Sequence, residues 1–122
     1  MGFSYEIDHE KGCMYTHVSG PITYKDLVDH MTCEVRDQGQ VYPELFDARE
    51  ATAAFSSDEV RRFIEFLKNL ASKSRLGPTA VVVSDDLTYG MFRMLGTLMD
   101  DVCKIHPFRN MDEAKQWLHR QC

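Results

Sequence analysis

The sequence has no apolar run that approaches the roughly 20 residues needed to cross a bilayer, and its strongest run is only Ala80 to Val83. It also lacks an excess of basic residues. Its 14 Lys and Arg against 19 Asp and Glu give a formal charge of −5, which argues against a nucleic-acid backbone as the main partner. The first ten residues do not resemble a secretory signal. These absences predict a cytoplasmic protein with no transmembrane segment.

Paired cysteines and common catalytic motifs are absent as well. The four cysteines are widely separated and form no C-x-x-C pair, so we expect free thiols that mostly lie in the core; they are Cys13, Cys33, Cys103 and Cys122. There is no glycine-rich dinucleotide loop, Walker loop, H-E-x-x-H or G-x-S-x-G motif. The sequence therefore predicts a protein that is not an enzyme, with no catalytic residues and no cofactor.

Metal ligands and paired acids give only weak signals. His30 and Cys33 would share a helix face, but a structural zinc site needs four ligands and no second pair has suitable spacing, so we expect no metal. Asp47 lies near the end of the third predicted strand, and Asp85 and Asp86 follow the fourth, where open α/β sheets place ligand-binding loops. Helix capping explains Asp85 and Asp86 better, because a helix N-terminus favours negative charge.

A recurring unit, a strand followed by a capped helix, is the strongest pattern present. At four junctions a side-chain oxygen is placed to accept from the free N–H groups of a first helical turn. The junctions are Thr23 with Asp26, Ser56 with Glu59, Asp85 with Asp86, and Asn110 with Glu113. A chain of 122 residues suits one ordinary core, so residues 1–122 are expected to form a single domain.

The periodicity of the apolar residues places the elements between these junctions. Alternation predicts strands at 3–8, 13–18 and 42–48, a β-branched run predicts one at 79–83, and a last strand is expected at 102–108. Helices are expected from Thr23 to a stop at Gly39, from Ser56 to a break at Gly77, from Asp85 to about Met99, and over 111–119. The order β-β-α-β-α-β-α-β-α predicts an α/β fold whose mixed five-stranded sheet is largely parallel after an initial hairpin.

The third helix carries more apolar side chains than one face can hold. Arg93 is its only charged residue between Tyr89 and Met99. Either neighbouring helices bury it, which its composition slightly favours, or it presents an adaptable methionine-lined patch to a partner, a second subunit or an apolar ligand. The candidate surface comprises Tyr89, Met91, Phe92, Met94, Leu98 and Met99.

Three segments give the chain a family resemblance. They are Leu45 to Arg49, Tyr89 to Met94, and Pro107 to Ala114 with the following Trp117 and Leu118. With the element order, they resemble a SpoIIAA-like, STAS-type domain. The resemblance implies a small regulatory module that binds a partner kinase and is switched by phosphorylation of a serine at a helix N-terminus. The corresponding candidates are Ser56 and Ser57, although Ser56 is explained as well by its S-x-x-E cap.

The same fold also resembles the core of CRAL-TRIO lipid-exchange domains. Two functions are therefore considered. We prefer a regulatory module that acts through protein contacts or self-association. The alternative is a carrier or sensor of a lipid-like molecule bound under the third helix. The second function would need a cavity of roughly 300 Å³ or more. An enzyme ranks third, and a pocket with two or more acids, or with a Cys and a His in contact, would favour it.

Overall fold

The computed structural model describes residues 2–121 as a mixed five-stranded sheet with four helices. The strands are β1 (Gly2–Asp8), β2 (Cys13–Ile22), β3 (Glu44–Ala53), β4 (Thr79–Val83) and β5 (Ile105–Phe108). The helices are α1 (Tyr24–Arg36), α2 (Ser57–Ala71), α3 (Asp86–Leu98) and α4 (Met111–Gln121). The predicted element order and fold class are confirmed. None of the helices in this part of the chain is long and apolar enough to cross a membrane.

The strands lie in the order in which they occur in the chain. β1 and β2 form an antiparallel hairpin, and β2 through β5 are parallel neighbours. β5 is an edge strand, one of the two outcomes that Pro107 favours along with an early end, because proline has no backbone N–H to donate to a neighbouring strand. The first residues of β3, β4 and β5 stand side by side, since Glu44 pairs with Thr79 and Thr79 with Ile105. The loops that enter these strands therefore meet at one edge of the sheet.

Two layers of helices cover the sheet. On one face, α1, α2 and α3 pack on inward residues such as Val18, Phe46 and Val81. On the other face, α4 packs through Ala114 on Ala80 and Val82. The β-branched run of β4 is buried on both faces, as its composition predicts for a central parallel strand.

All four predicted junctions cap helices. Thr23 and Ser56 form reciprocal capping boxes with Asp26 and Glu59. Asp85 accepts from the Thr88 N–H at 2.8 Å, and Asn110 accepts from the Glu113 N–H at 3.0 Å. Short polar motifs therefore locate the starts of the helices correctly.

Several predicted element ends differ from the structure. β2 continues through Gly20 and Pro21 to Ile22, and β3 continues to Ala53, because these two segments pair with each other beyond a register shift at His17 and Ser19. α1 stops before Gly39. Its last turn closes at Gln38 (φ 62°), whose N–H donates to Val35, while the Gly39 N–H donates to the Glu34 carbonyl. β5 begins at Ile105, because the Val102 and Cys103 N–H groups both donate to Met99.

Two glycines of α3 differ in the space around them. A Cβ at Gly96 would lie 2.0 Å from the Ile105 carbonyl oxygen, whereas a Cβ at Gly90 would meet nothing within 4 Å. We expect Gly96→Ala to destabilise the protein by about 2 kcal/mol or more, because α3 must move away from β5. Gly90→Ala should stabilise it by about 0.5–1 kcal/mol through helix propensity alone. Urea unfolding of the two variants measures both, and equal effects of the two substitutions would refute this packing.

Candidate functional site

A cavity of about 60 Å³ lies between the layer formed by α1, α2 and α3 and the sheet. Most of its wall is apolar and includes Leu27, Phe63, Leu67, Val81, Phe92 and Leu95. It reaches the edge where the parallel strands begin, since Tyr42 and Gly77 of the entering loops also line it. The sequence instead suggested ligand-binding loops near Asp47 and Asp85, at the opposite edge of the sheet, where the parallel strands end.

One wall of the cavity carries three ionisable side chains. His30 and Glu34 come from α1, and Glu44 is the first residue of β3. His30 Nε2 lies 2.8 Å from Glu44 Oε2 and 3.1 Å from Glu34 Oε2. The Thr16 hydroxyl donates to Glu44 Oε2 at 2.6 Å. Each of the three side chains is at most 5% exposed, so the cluster is isolated from solvent.

Local structure explains why these polar groups face inward. The i, i+4 spacing of His30 and Glu34 puts them on one side of α1, and Leu27 is buried with them. Glu44 alternates along β3 with residues on the α4 face, so it shares the face covered by α1, α2 and α3 with Phe46 and Ala48. Aromatic rings surround the imidazole, with centroids 5.3 to 5.8 Å from that of His30; they belong to Phe3, Tyr5 and Phe46.

The three groups shift one another's pKa values. Burial lowers the pKa of His30, but the negative charge of Glu44 and the carboxyl groups of Glu34 and Glu44 beside Nε2 outweigh burial and raise it to about 10. Burial, followed by the charge of Glu44, raises the pKa of Glu34 to about 8 despite the nearby imidazole. Burial opposes ionisation of Glu44, yet His30 and Thr16 lower its pKa. These pKa directions favour an imidazolium, a Glu44 carboxylate and a protonated Glu34 in the cluster.

Three buried polar atoms near the cavity have no hydrogen-bond partner. They are His30 Nδ1, Glu34 Oε2 and Gln40 Oε1. Buried polar groups are nearly always hydrogen-bonded, because an unpaired one costs about 1–3 kcal/mol. An internal wall with two unpaired side-chain oxygens is therefore unusual in a core that is otherwise apolar.

The candidate phospho-acceptor serines lie away from this cluster. Ser56 is exposed and serves as the N-cap of α2, with its hydroxyl accepting from the Glu59 N–H at 3.1 Å. Ser57 is exposed in the first turn beside Asp58. The capping role of Ser56 is therefore present in the structure, and phosphorylation at either serine stays a prediction.

The predicted surface residues of helix α3 lie partly in the core and partly on the exterior. Phe92 and Met99 are 3% and 0% exposed, so neither contributes to an exposed partner surface, although Phe92 lines the cavity. Tyr89, Met91 and Met94 are partly buried and pack against the core. Leu98 is 43% exposed. Leu87, which the sequence interpretation missed, is 63% exposed at the start of the helix.

The other sequence candidates remain separate from the cavity cluster. Asp47 is held by Arg49 at 2.8 Å and by the Tyr15 hydroxyl at 3.1 Å on the opposite sheet face. Asp86 pairs with Arg109 at 2.6 Å, and Asp85 caps α3. His30 interacts with Glu34 and Glu44 rather than forming a pair with Cys33.

The expectation for the cysteines holds only in part. Among the three that the structure describes, Cys103 is buried, Cys33 is partly buried and Cys13 is exposed, and all are free. Cys122 lies outside the described residues. Cys103 lines the cavity, where burial raises the pKa of its thiol to about 11. It is therefore protonated at neutral pH and a poor nucleophile.

Comparison with known proteins identifies the fold. No protein-family model and no curated protein matches this sequence. One solved structure, that of an uncharacterized DUF3478-family protein with a SpoIIAA-like fold from Shewanella loihica PV-4, superimposes with a TM-score of 0.59. The match covers 96% of this chain and 93% of that chain at 13% sequence identity. The SpoIIAA-like fold predicted from the sequence is confirmed.

Proposed function

We propose that this protein is a non-enzymatic binding module that takes a small, mostly apolar molecule with one polar group into the cavity between the helices and the sheet. The observation that carries the proposal is the combination of an apolar cavity with unpaired oxygens of Glu34 and Gln40 at its wall. Ligand pockets have this composition, with a few placed polar groups in an apolar lining.

The size of the cavity limits the ligand. A volume of about 60 Å³ is well below the roughly 300 Å³ of a typical ligand pocket, so a complete lipid does not fit this conformation. One water needs about 10–15 Å³ on the same scale, so the space suits a ligand of a few heavy atoms or the end of a longer one. The proposed ligand is therefore smaller than the lipid suggested by the CRAL-TRIO resemblance.

An enzymatic function must be weighed against this proposal, because the pocket unites two acids with a histidine. Such a cluster can transfer protons when substrate reaches it. Here all three side chains are at most 5% exposed, and the cavity thiol of Cys103 is held protonated. These features support binding over bond-making chemistry.

A second candidate function follows from the exposed leucines of α3. Leu98 and Met94 line a shallow groove with Arg61 and Arg93. Apolar side chains beside two arginines favour a protein segment that carries apolar and acidic residues. This candidate retains the regulatory role through protein contacts, and it uses the outer side of α3 rather than the cavity.

Two substitutions on α3 separate the two functions. Leu95→Phe adds atoms at a cavity-lining position that is 2% exposed, whereas Leu98→Glu changes the outer side. We expect protein purified without denaturation to yield one stoichiometric small molecule on organic extraction, and Leu95→Phe to lose it because the space is filled. Leu98→Glu should retain the molecule. If a protein partner uses the outer groove, co-purification of that partner should fail for Leu98→Glu alone.

The extraction has a clear contrary outcome. Circular dichroism should show both variants folded, since a larger apolar side chain beside a cavity fills empty space. An extract without any stoichiometric compound, or one that is the same for wild type and Leu95→Phe, would contradict cavity binding.

A further inference from the structure

The three side chains on the cavity wall bring two carboxyl groups to a single imidazole nitrogen. His30 Nε2 can present one hydrogen, which is directed to Glu44 at 2.8 Å. Glu34 Oε2 lies 3.1 Å from the same nitrogen and has no hydrogen-bond partner, although its side chain is only 4% exposed. One nitrogen and two carboxyl groups thus face a common point, and one acceptor oxygen is left without a partner.

The spacing and charge of these atoms suit a metal ion. The ligating atoms of all three side chains lie within 4.8 Å of one another. An ion bound at about 2.1 Å places neighbouring ligands about 3 Å apart at right angles and about 3.4 Å apart in tetrahedral geometry, so the 2.8 and 3.1 Å found here need only a small outward movement of the carboxyl groups. A neutral imidazole with two carboxylates carries two negative charges, which a divalent cation neutralises. The Thr16 hydroxyl supports Glu44 from behind, as an outer-shell partner does at metal sites.

We propose that His30, Glu34 and Glu44 form a binding site for one divalent transition-metal ion, such as zinc or manganese. Imidazole with carboxylate ligands suits this class of ion better than calcium, which prefers six to eight oxygen ligands. Three protein ligands leave coordination positions for water or for a molecule in the cavity. The site goes beyond the proposed apolar ligand, and its test requires no organic ligand.

Sequence spacing alone does not reveal this site. By spacing His30 shares a face of α1 with Cys33, whereas the third ligand is Glu44, the first residue of a strand 14 positions later. Two glutamates on otherwise apolar faces are the signal that the sequence offers. Glu34 lies among the buried residues of α1, and Glu44 lies on the same face of β3 as Phe46.

The test is calorimetric titration of chelator-treated protein with Zn²⁺, and with Co²⁺ as a spectroscopic probe of the coordination sphere. We compare wild type, Glu34→Gln and Asp29→Asn. Asp29 is an acid on the same helix that is 58% exposed and pairs with Lys25, so its substitution removes the same charge away from the cavity. We expect one equivalent of metal for wild type and for Asp29→Asn, and an affinity at least about 100-fold weaker for Glu34→Gln.

Thermal unfolding provides the second measurement, because a ligand that binds only the folded state raises the melting temperature. Zn²⁺ should raise the melting temperature of wild type and Asp29→Asn but not that of Glu34→Gln. Equal binding by all three proteins would place the metal elsewhere, for example at the exposed His17 and Glu50 pair, and would overturn the proposal. Failure of wild type to bind either ion would overturn it as well.

Discussion

Glu44→Gln is expected to destabilise the protein by about 3 kcal/mol, because it removes the carboxylate whose charge raises the pKa of the buried His30. Glu44 is 4% exposed and accepts from both Thr16 and His30. The substitution keeps the shape of the side chain and removes its charge. Chemical unfolding at pH 7 in the presence of a chelator measures the loss, and NMR titration should show the pKa of His30 falling well below its wild-type value.

Matched controls isolate the charge of Glu44 from general damage to the core. Asp29→Asn removes an exposed charge and should change stability by less than about 0.5 kcal/mol. Replacing His30, Glu34 and Glu44 together by leucine should restore much of the loss, since apolar residues of similar volume often substitute for a buried ionic cluster. A Glu44→Gln protein within 1 kcal/mol of wild type would contradict the ionised state assigned to this wall.

Glu34→Gln is expected to stabilise the metal-free protein at alkaline pH, whereas Glu44→Gln destabilises it. The pKa of Glu34 is raised to about 8 in the folded chain, against an ordinary value of 4.5. A group with a raised folded pKa contributes stability that is fully present below its unfolded pKa and is lost as pH rises through the folded pKa. Metal-free wild type should therefore lose stability between about pH 4.5 and 8 through Glu34.

The pH profile of the variant gives the measurement. Glu34→Gln removes this titration, so its stability relative to wild type should increase by on the order of 3 kcal/mol between pH 5 and pH 9. The pKa of His30 is also raised, to about 10, so deprotonation of His30 lowers stability as pH rises. Because the variant retains His30, both proteins should lose stability further as pH approaches 10. Parallel stability profiles for the two proteins would show that Glu34 ionises as it does in solvent.

These two predictions describe one trade-off. The metal-free protein keeps an unpaired, buried carboxyl that costs stability, and the proposed metal site needs that carboxyl as a ligand. Functional sites often retain polar groups that a purely structural core would replace. Glu34→Gln should therefore yield a protein that is more stable at high pH and binds metal at least about 100-fold more weakly.

Local patterns in the sequence were sufficient for most of the fold. Helix starts follow from side chains such as Ser56 and Asn110, which act on backbone groups three residues away. The buried β4 follows from an uninterrupted β-branched run. Element ends were less predictable, because the extension of β2 to Ile22 depends on pairing with Ala53, which is distant in the chain.

The candidate site was not predictable in the same way. On α1, Val35 is 37% exposed, while Glu34 beside it is buried. Neighbouring positions on a helix are about 100° apart, so residues at the border of an apolar face are not assigned to the core or to solvent by spacing alone. Its partner Glu44 approaches only after the sheet has formed. Convergence of residues from α1, β2 and β3 is a tertiary property that local spacing does not encode.

The most direct test is a high-resolution crystal structure of the protein purified from its own cells without chelator or denaturant. The account predicts density between His30, Glu34 and Glu44 for a metal ion, for the polar end of a bound molecule, or for both, with the apolar part beside Leu67 and Leu95. A collapsed cavity in which the Glu34 carboxyl is hydrogen-bonded only to other protein groups would contradict it.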